Sequence, residues 1–160
     1  MRNKQKGFSL IELLIVVAII LIIAAIAIPN LLRSKMAANE ASAVASLRTY
    51  NTSIVAYQTT YSTDPATNLA QLGPSSSPSS AAADLVDNLL GIAAPIKSGY
   101  TFKYTPGTAT AGVVSTYTIT ANPANQNVTG QRTFFTDQSG VIRQRTDGTT
   151  ASATDTPIGN

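Results

Sequence analysis

The sequence predicts an α+β protein in which one long N-terminal helix, first apolar and then amphipathic, packs against a small antiparallel β-sheet. Three observations carry the prediction. Residues 8–28 form a 21-residue run interrupted only by Ser9 and Glu12. Apolar residues then recur at helical spacing from Asn30 to about Ser62. Beyond residue 99, short alternating runs separated by turn residues read as strands.

The bulk composition narrows the class. A chain of 160 residues with one long apolar segment has room for a single small head and one membrane-spanning element. Of all residues 44% are hydrophobic, crowded into the first 32 positions, while the rest is rich in Ser, Thr, Ala, Asn and Gly. The formal charge of +3 arises from Arg2, Lys4 and Lys6, so a chain starting at Phe8 carries eight basic and eight acidic residues. That balance argues against a nucleic-acid partner, which needs a basic patch able to release phosphate counterions. The chain has no cysteine and no histidine, so it lacks disulfides, thiolate chemistry and the commonest general base. No phosphate-cradling glycine motif or paired carboxylate replaces them, and the sequence predicts no enzyme, cofactor or metal site.

Helical residues 8–28 would span about 32 Å, enough to cross a hydrocarbon core of about 30 Å. The basic residues just before them place the N-terminus in the cytoplasm and the remainder outside it. Fifteen of the 21 are Leu, Ile, Val or Phe, worth roughly 4.5 to 9 kcal/mol of insertion free energy. Glu12 opposes this by about 2.5 to 3.5 kcal/mol, less near the helix end. Insertion wins, yet an acid inside a membrane span implies a function and a partner. Ala25-Ile26-Ala27 has the pattern of an ordinary secretory cleavage site. Glu12, the length of the apolar run and the short polar leader ending at Gly7-Phe8 weigh against that reading.

Lys6-Gly7-Phe8-Ser9-Leu10-Ile11-Glu12-Leu13, an unbroken apolar helix and then Ile28-Pro29-Asn30 closely resemble the N-terminal signature of type IV pilins and type II secretion pseudopilins. The resemblance is strong over residues 1–35 and weak afterwards. It implies that a prepilin peptidase cuts after Gly7 and methylates the new N-terminus at Phe8. It also implies that Glu12 pairs with the α-amino group of Phe8 on a neighbouring subunit. Such a pair about 4 Å apart is worth about 4 kcal/mol at an effective dielectric near 20, comparable to the cost of burying the acid. The implied partners are further copies in a homopolymer, the membrane before assembly, an inner-membrane assembly platform and a cytoplasmic assembly ATPase. Localisation would be the inner membrane for the precursor and an extracellular pilus or periplasmic pseudopilus after assembly.

The chain is read in four pieces. Residues 1–7 are a leader, 8–29 a transmembrane and filament-core helix, and 30–62 its amphipathic continuation, with a head at 63–160. Pro29 lacks a backbone donor and crowds the Ala25 carbonyl, so the helix should kink or loosen over Ala25 to Pro29. Leu32, Met36, Val44, Leu47, Ile54, Tyr57 and Tyr61 mark the stripe that should cover the sheet, and Tyr50, Tyr57 and Tyr61 read as packing residues rather than a conducting ladder.

Residues 63–83, with Ser75-Ser76-Ser77-Pro78-Ser79-Ser80, read as a surface loop without a buried element, open to O-linked glycan or phosphate. A short helix is expected over Ala82 to Leu90, ending at Gly91. Strands are expected over Tyr100 to Thr105, Val113 to Ala121, Gln131 to Asp137 and Val141 to Arg145, with a loosely held tail after Thr146. The spacing of Asp137, Asp147 and Asp155 suits turn capping better than a calcium loop. The favoured reading is a major pilin; a major pseudopilin follows it, then a DNA-binding competence pilin, and from another class a membrane-tethered or secreted binding protein that never polymerises.

Overall fold

The computed structural model describes residues 8–65 and 67–159. Helix α1 runs Leu10–Tyr61, a 3-10 turn follows at Leu69–Leu72, and six strands complete the chain. These are β1 (Ile96–Lys97), β2 (Tyr100–Pro106), β3 (Tyr117–Pro123), β4 (Thr133–Asp137), β5 (Arg143–Arg145) and β6 (Thr156–Pro157). The chain divides into two compact units between Lys35 and Met36, and α1 contributes to both.

The first unit contains the apolar half of α1. Its most apolar 18-residue window has a mean hydropathy of 3.3 and no buried residue, which is long and apolar enough to cross a membrane. Pro29 lies inside α1, which is helical on both sides of it. Ala25 therefore lacks its usual helical donor.

In the second unit α1 turns one face to the sheet. Glu40, Ala43, Leu47, Tyr50, Ile54 and Tyr57 are buried at intervals of three and four residues, the spacing of one helix face. Leu32 is exposed, and Met36, Val44 and Tyr61 are half-buried, so the expected stripe was right at its centre and wrong at its start. The helix stops when Ser62 takes a left-handed conformation, φ 59°, and donates its N–H to the Gln58 carbonyl at 2.8 Å.

The sheet is an antiparallel meander in which each strand pairs with the next. Phe102 sits opposite Ala121, and Ala121 opposite Phe134, placing one row across three strands beneath the helix. Tyr50 meets Phe102 edge-on with ring centres 5.7 Å apart, and Tyr104 stacks on Tyr117 at 5.9 Å. The tyrosines of α1 pack and donate: Tyr50 to the Leu90 carbonyl at 3.0 Å and Tyr57 to the Ser80 carbonyl at 2.7 Å. β2 begins at Tyr100 as expected, whereas β3 begins at Tyr117 rather than Val113, β4 at Thr133 rather than Gln131 and β5 at Arg143 rather than Val141.

A buried acid ties helix to sheet. Glu40 accepts the Gln131 and Arg132 backbone N–H groups at 2.8 and 3.1 Å and the Arg132 Nε–H at 2.8 Å. Arg132 also donates to Gln144 at 2.7 Å and lies 5.5 Å from the Phe134 ring centre. Burial pushes the Glu40 carboxyl up, but these hydrogen bonds and the guanidinium charge outweigh it and hold the group below its ordinary value.

Three expectations are corrected. Residues 63–83 do hold a buried element: Leu69 and Leu72 are fully buried in the 3-10 turn, which Asn68 caps by accepting the Ala70 N–H at 2.9 Å. Ser75 to Ser80 stay on the surface as a bend. No helix forms over Ala82 to Leu90; Asp87 instead closes a single turn, taking the Leu89 and Leu90 N–H groups on its side chain and the Gly91 N–H on its carbonyl. This turn is fixed by Gly73 and Gly91, whose backbones touch so closely that a Cβ on either would collide with the other.

The tail is the third correction. β6 pairs with β5, Ile158 donates to the Ile142 carbonyl at 2.9 Å, and Ala151 is buried. Asp155 takes Arg145 Nη2 at 2.7 Å and the Ser152 N–H at 2.6 Å. Thr133 and Phe135 face away from α1 yet are buried, and Thr133 donates to the Thr149 carbonyl at 2.7 Å, so the tail covers part of that second face. A polar composition hid this, since ion pairs and backbone pairing supply much of the hold beside Ala151 and Ile158.

Candidate assembly site

The residues singled out at the N-terminus belong to the first unit. Gly7, the expected cleavage position, lies outside the described residues. Phe8 is 85% exposed and precedes the first helical residue, Leu10. Ser9 stands at the N-cap, and its backbone N–H donates to Glu12 Oε2 at 2.8 Å. This is half of a capping box, in which the acid three residues into the helix reaches back to a terminal N–H that otherwise has no partner. The carboxylate also complements the positive end of the helix dipole. Ser-x-x-Glu was present in the sequence as a helix-start signal, and Glu12 thus has a local role that its position in an apolar run obscures.

From Leu10 to Leu32 the large apolar side chains are all about half or more exposed. At about 25 cal/mol per Å² of apolar surface removed from water, a surface of this kind is driven into lipid or against other apolar helices. With the single acid at its start, the segment is apolar enough to insert into lipid or to pack against other apolar helices.

The three aspartates weighed as a cation loop have other partners. Asp155 and Asp147 both pair with Arg145, at 2.7 and 3.8 Å, and Asp137 accepts the Ser139 N–H at 2.9 Å. Among the described residues no group of three or more acidic, His or Cys side chains could hold a metal ion.

Residues 2–28 match the family model described as the prokaryotic N-terminal methylation motif. The type IV wide pilus major component PilA4 of Thermus thermophilus is 50% identical over 64 residues, covering 40% of this chain and 45% of that relative. Over part of its length the chain is thus similar to a type IV pilin, and over residues 2–28 to the methylation motif. The match spans less than half of that relative's length. No solved structure matches. The head accordingly stands on its own geometry, an α+β arrangement with a six-stranded meander.

Proposed function

We propose that the chain is a structural subunit, the major pilin, of a type IV pilus. It enters the inner membrane through residues 8–29 with its N-terminus in the cytoplasm. A prepilin peptidase cuts between Gly7 and Phe8 and methylates Phe8, and an assembly platform with a cytoplasmic ATPase draws the mature chain into a homopolymer. The observation that carries the reading is the N-terminal segment: an exposed apolar helix with one acid in its first turn, matched over residues 2–28 by the methylation motif.

Cleavage supplies the chemistry that assembly uses. It creates an α-amino cation at Phe8, and in the apolar centre of a filament that cation and the Glu12 carboxylate of a neighbour satisfy each other. Glu12 exchanges its local bond to the Ser9 N–H for a charged partner, which is the stronger acceptor interaction. The pilus is favoured over a secretion pseudopilus because the similar relative is a wide-pilus major component.

Two measurements test this. Mass spectrometry of the mature protein should find a methylated N-terminus at Phe8; a chain beginning at Ile28 would establish ordinary secretion instead. Glu12→Ala should leave the membrane pool intact and abolish surface fibres in electron micrographs. Normal fibre yield would remove the pairing role.

A further inference from the structure

Two features lie on opposite flanks of the second unit. The first is a strap, residues 84–98, bound along one flank of α1. Ser53 Oγ donates to the Leu85 carbonyl and Tyr50 Oη to the Leu90 carbonyl, both at 3.0 Å, and Ser42 Oγ shares a hydrogen bond with Ser98 Oγ at 2.9 Å. Leu90 plugs into the core, and the Asp87–Lys97 ion pair at 3.6 Å ties the loop. Its outward side is apolar: Leu89, Ile92 and Ile96 are 57%, 45% and 59% exposed. A patch of this kind marks an interaction site. Its rim is acidic, because Asp84 is exposed and has no ion pair among the described residues.

The second is a groove of about 340 Å³ lined by Ala41, Val44, Arg48, Arg132, Ile158 and Gly159. At about 3.6 residues per turn, Val44 and Arg48 project from the side of α1 opposite Ser42 and Ser53. The two edges of the sheet agree with this, since Ile96 belongs to β1 at one edge and Ile158 follows β6 at the other. The walls are small or aliphatic and the rim is basic. Arg132 is committed to Glu40 and Gln144, whereas Arg48 is exposed with no ion pair among the described residues.

We infer that the strap of one copy seats in the groove of the next, with Leu89 and Ile92 against Ala41, Val44 and Ile158 and with Asp84 facing Arg48. The inference rests on the polymer reading and gives it a second contact, between heads. Knob and groove lie on different faces of one subunit, so the contact is heterologous, the class of contact from which open filaments are built. Acid on one side and Arg48 on the other fix which faces meet and disfavour strap against strap.

The absence of cysteine allows a direct test. Ala41→Cys and Ile92→Cys are introduced separately and together into the full-length chain, and sheared surface fibres are mildly oxidised and run on non-reducing gels. The double variant should give a ladder of covalent multimers, and each single variant only monomer. Fibres of the double variant that remain monomeric would overturn the inference while leaving the polymer reading in place. Dimers from Ile92→Cys alone would mean that strap meets strap, and would overturn it too. Arg48→Glu sets acid against acid and should lower fibre yield at least about tenfold with an unchanged membrane pool; undiminished yield counts against the contact. If the unsubstituted chain makes no fibres, the polymer reading fails and this inference fails with it.

Discussion

Replacing Glu40 should destabilise the head strongly at neutral pH and much less in acid. Its carboxylate, 7% exposed, accepts three hydrogen bonds from Gln131 and Arg132. Removing one member of a buried ion pair costs about 3 to 5 kcal/mol. The Arg132 side chain is 38% exposed, so water recovers part of this, and about 3 kcal/mol is expected for Glu40→Ala.

For a head of this size, that corresponds to a fall in Tm of about 10 °C. Glu40→Gln keeps an acceptor for the backbone donors and should lose about half as much. The sign of the pH dependence follows from the depressed carboxyl. Its stabilisation is complete above the unfolded value of 4.5 and fades as pH falls through the lower folded value. Near-UV circular dichroism of the full chain in detergent suits the measurement, because the signal comes from tyrosines, five of which are buried in the head. A Tm within about 2 °C of the parent at pH 7, or an equal loss at pH 7 and pH 3, would refute the role assigned to Glu40.

Asp64 should behave in the opposite sense. It is 2% exposed, has no side-chain hydrogen bond among the described residues, and burial raises its carboxyl above the ordinary 3.8. Its protonated form suits the fold, so the associated stability is full below the unfolded value and lost as pH rises through the raised one; Asp64→Asn should raise the Tm at pH 7 and leave it unchanged at pH 3. Gly73→Ala forces a Cβ into the Gly91 carbonyl, a backbone group that cannot swing aside, and should cost about 2 kcal/mol or more in a denaturant titration. Asp155→Ala releases both Arg145 and Ser152; limited proteolysis should then cut between residues 146 and 156 faster than in the parent.

The N-terminal half of the chain was legible because its solvent is a single bulk medium. A run such as Leu13 to Ile23 needs no knowledge of its neighbours to be assigned to a membrane, and Glu12 stands out against it for the same reason. Tyr100, Phe102 and Tyr104 were equally plain, since alternation with Thr101, Lys103 and Thr105 fixes a strand with one buried face. Ser9-x-x-Glu12 is likewise a local capping signal, in which the acid's bond to the Ser9 N–H lies within one helical turn.

Other features exist only because distant residues meet. Glu40 and Arg132 are ordinary surface residue types, and what makes them a tie is a fold that brings position 40 against the start of β4. β1 and β6 have two residues each, too few for any periodicity, and are held by pairing with β2 and β5. The strap and the groove share this origin: Leu89, Ile92 and Ile96 look like core candidates by type, and only the packing of Leu90 beneath them turns them outward. Sequence by itself determined which stretch leaves water for lipid and which acid goes with it, because hydropathy and charge are properties of local chain. Tertiary structure alone decided how the head is clamped and which of its apolar side chains stay at the surface, because those depend on contacts between residues far apart along the chain.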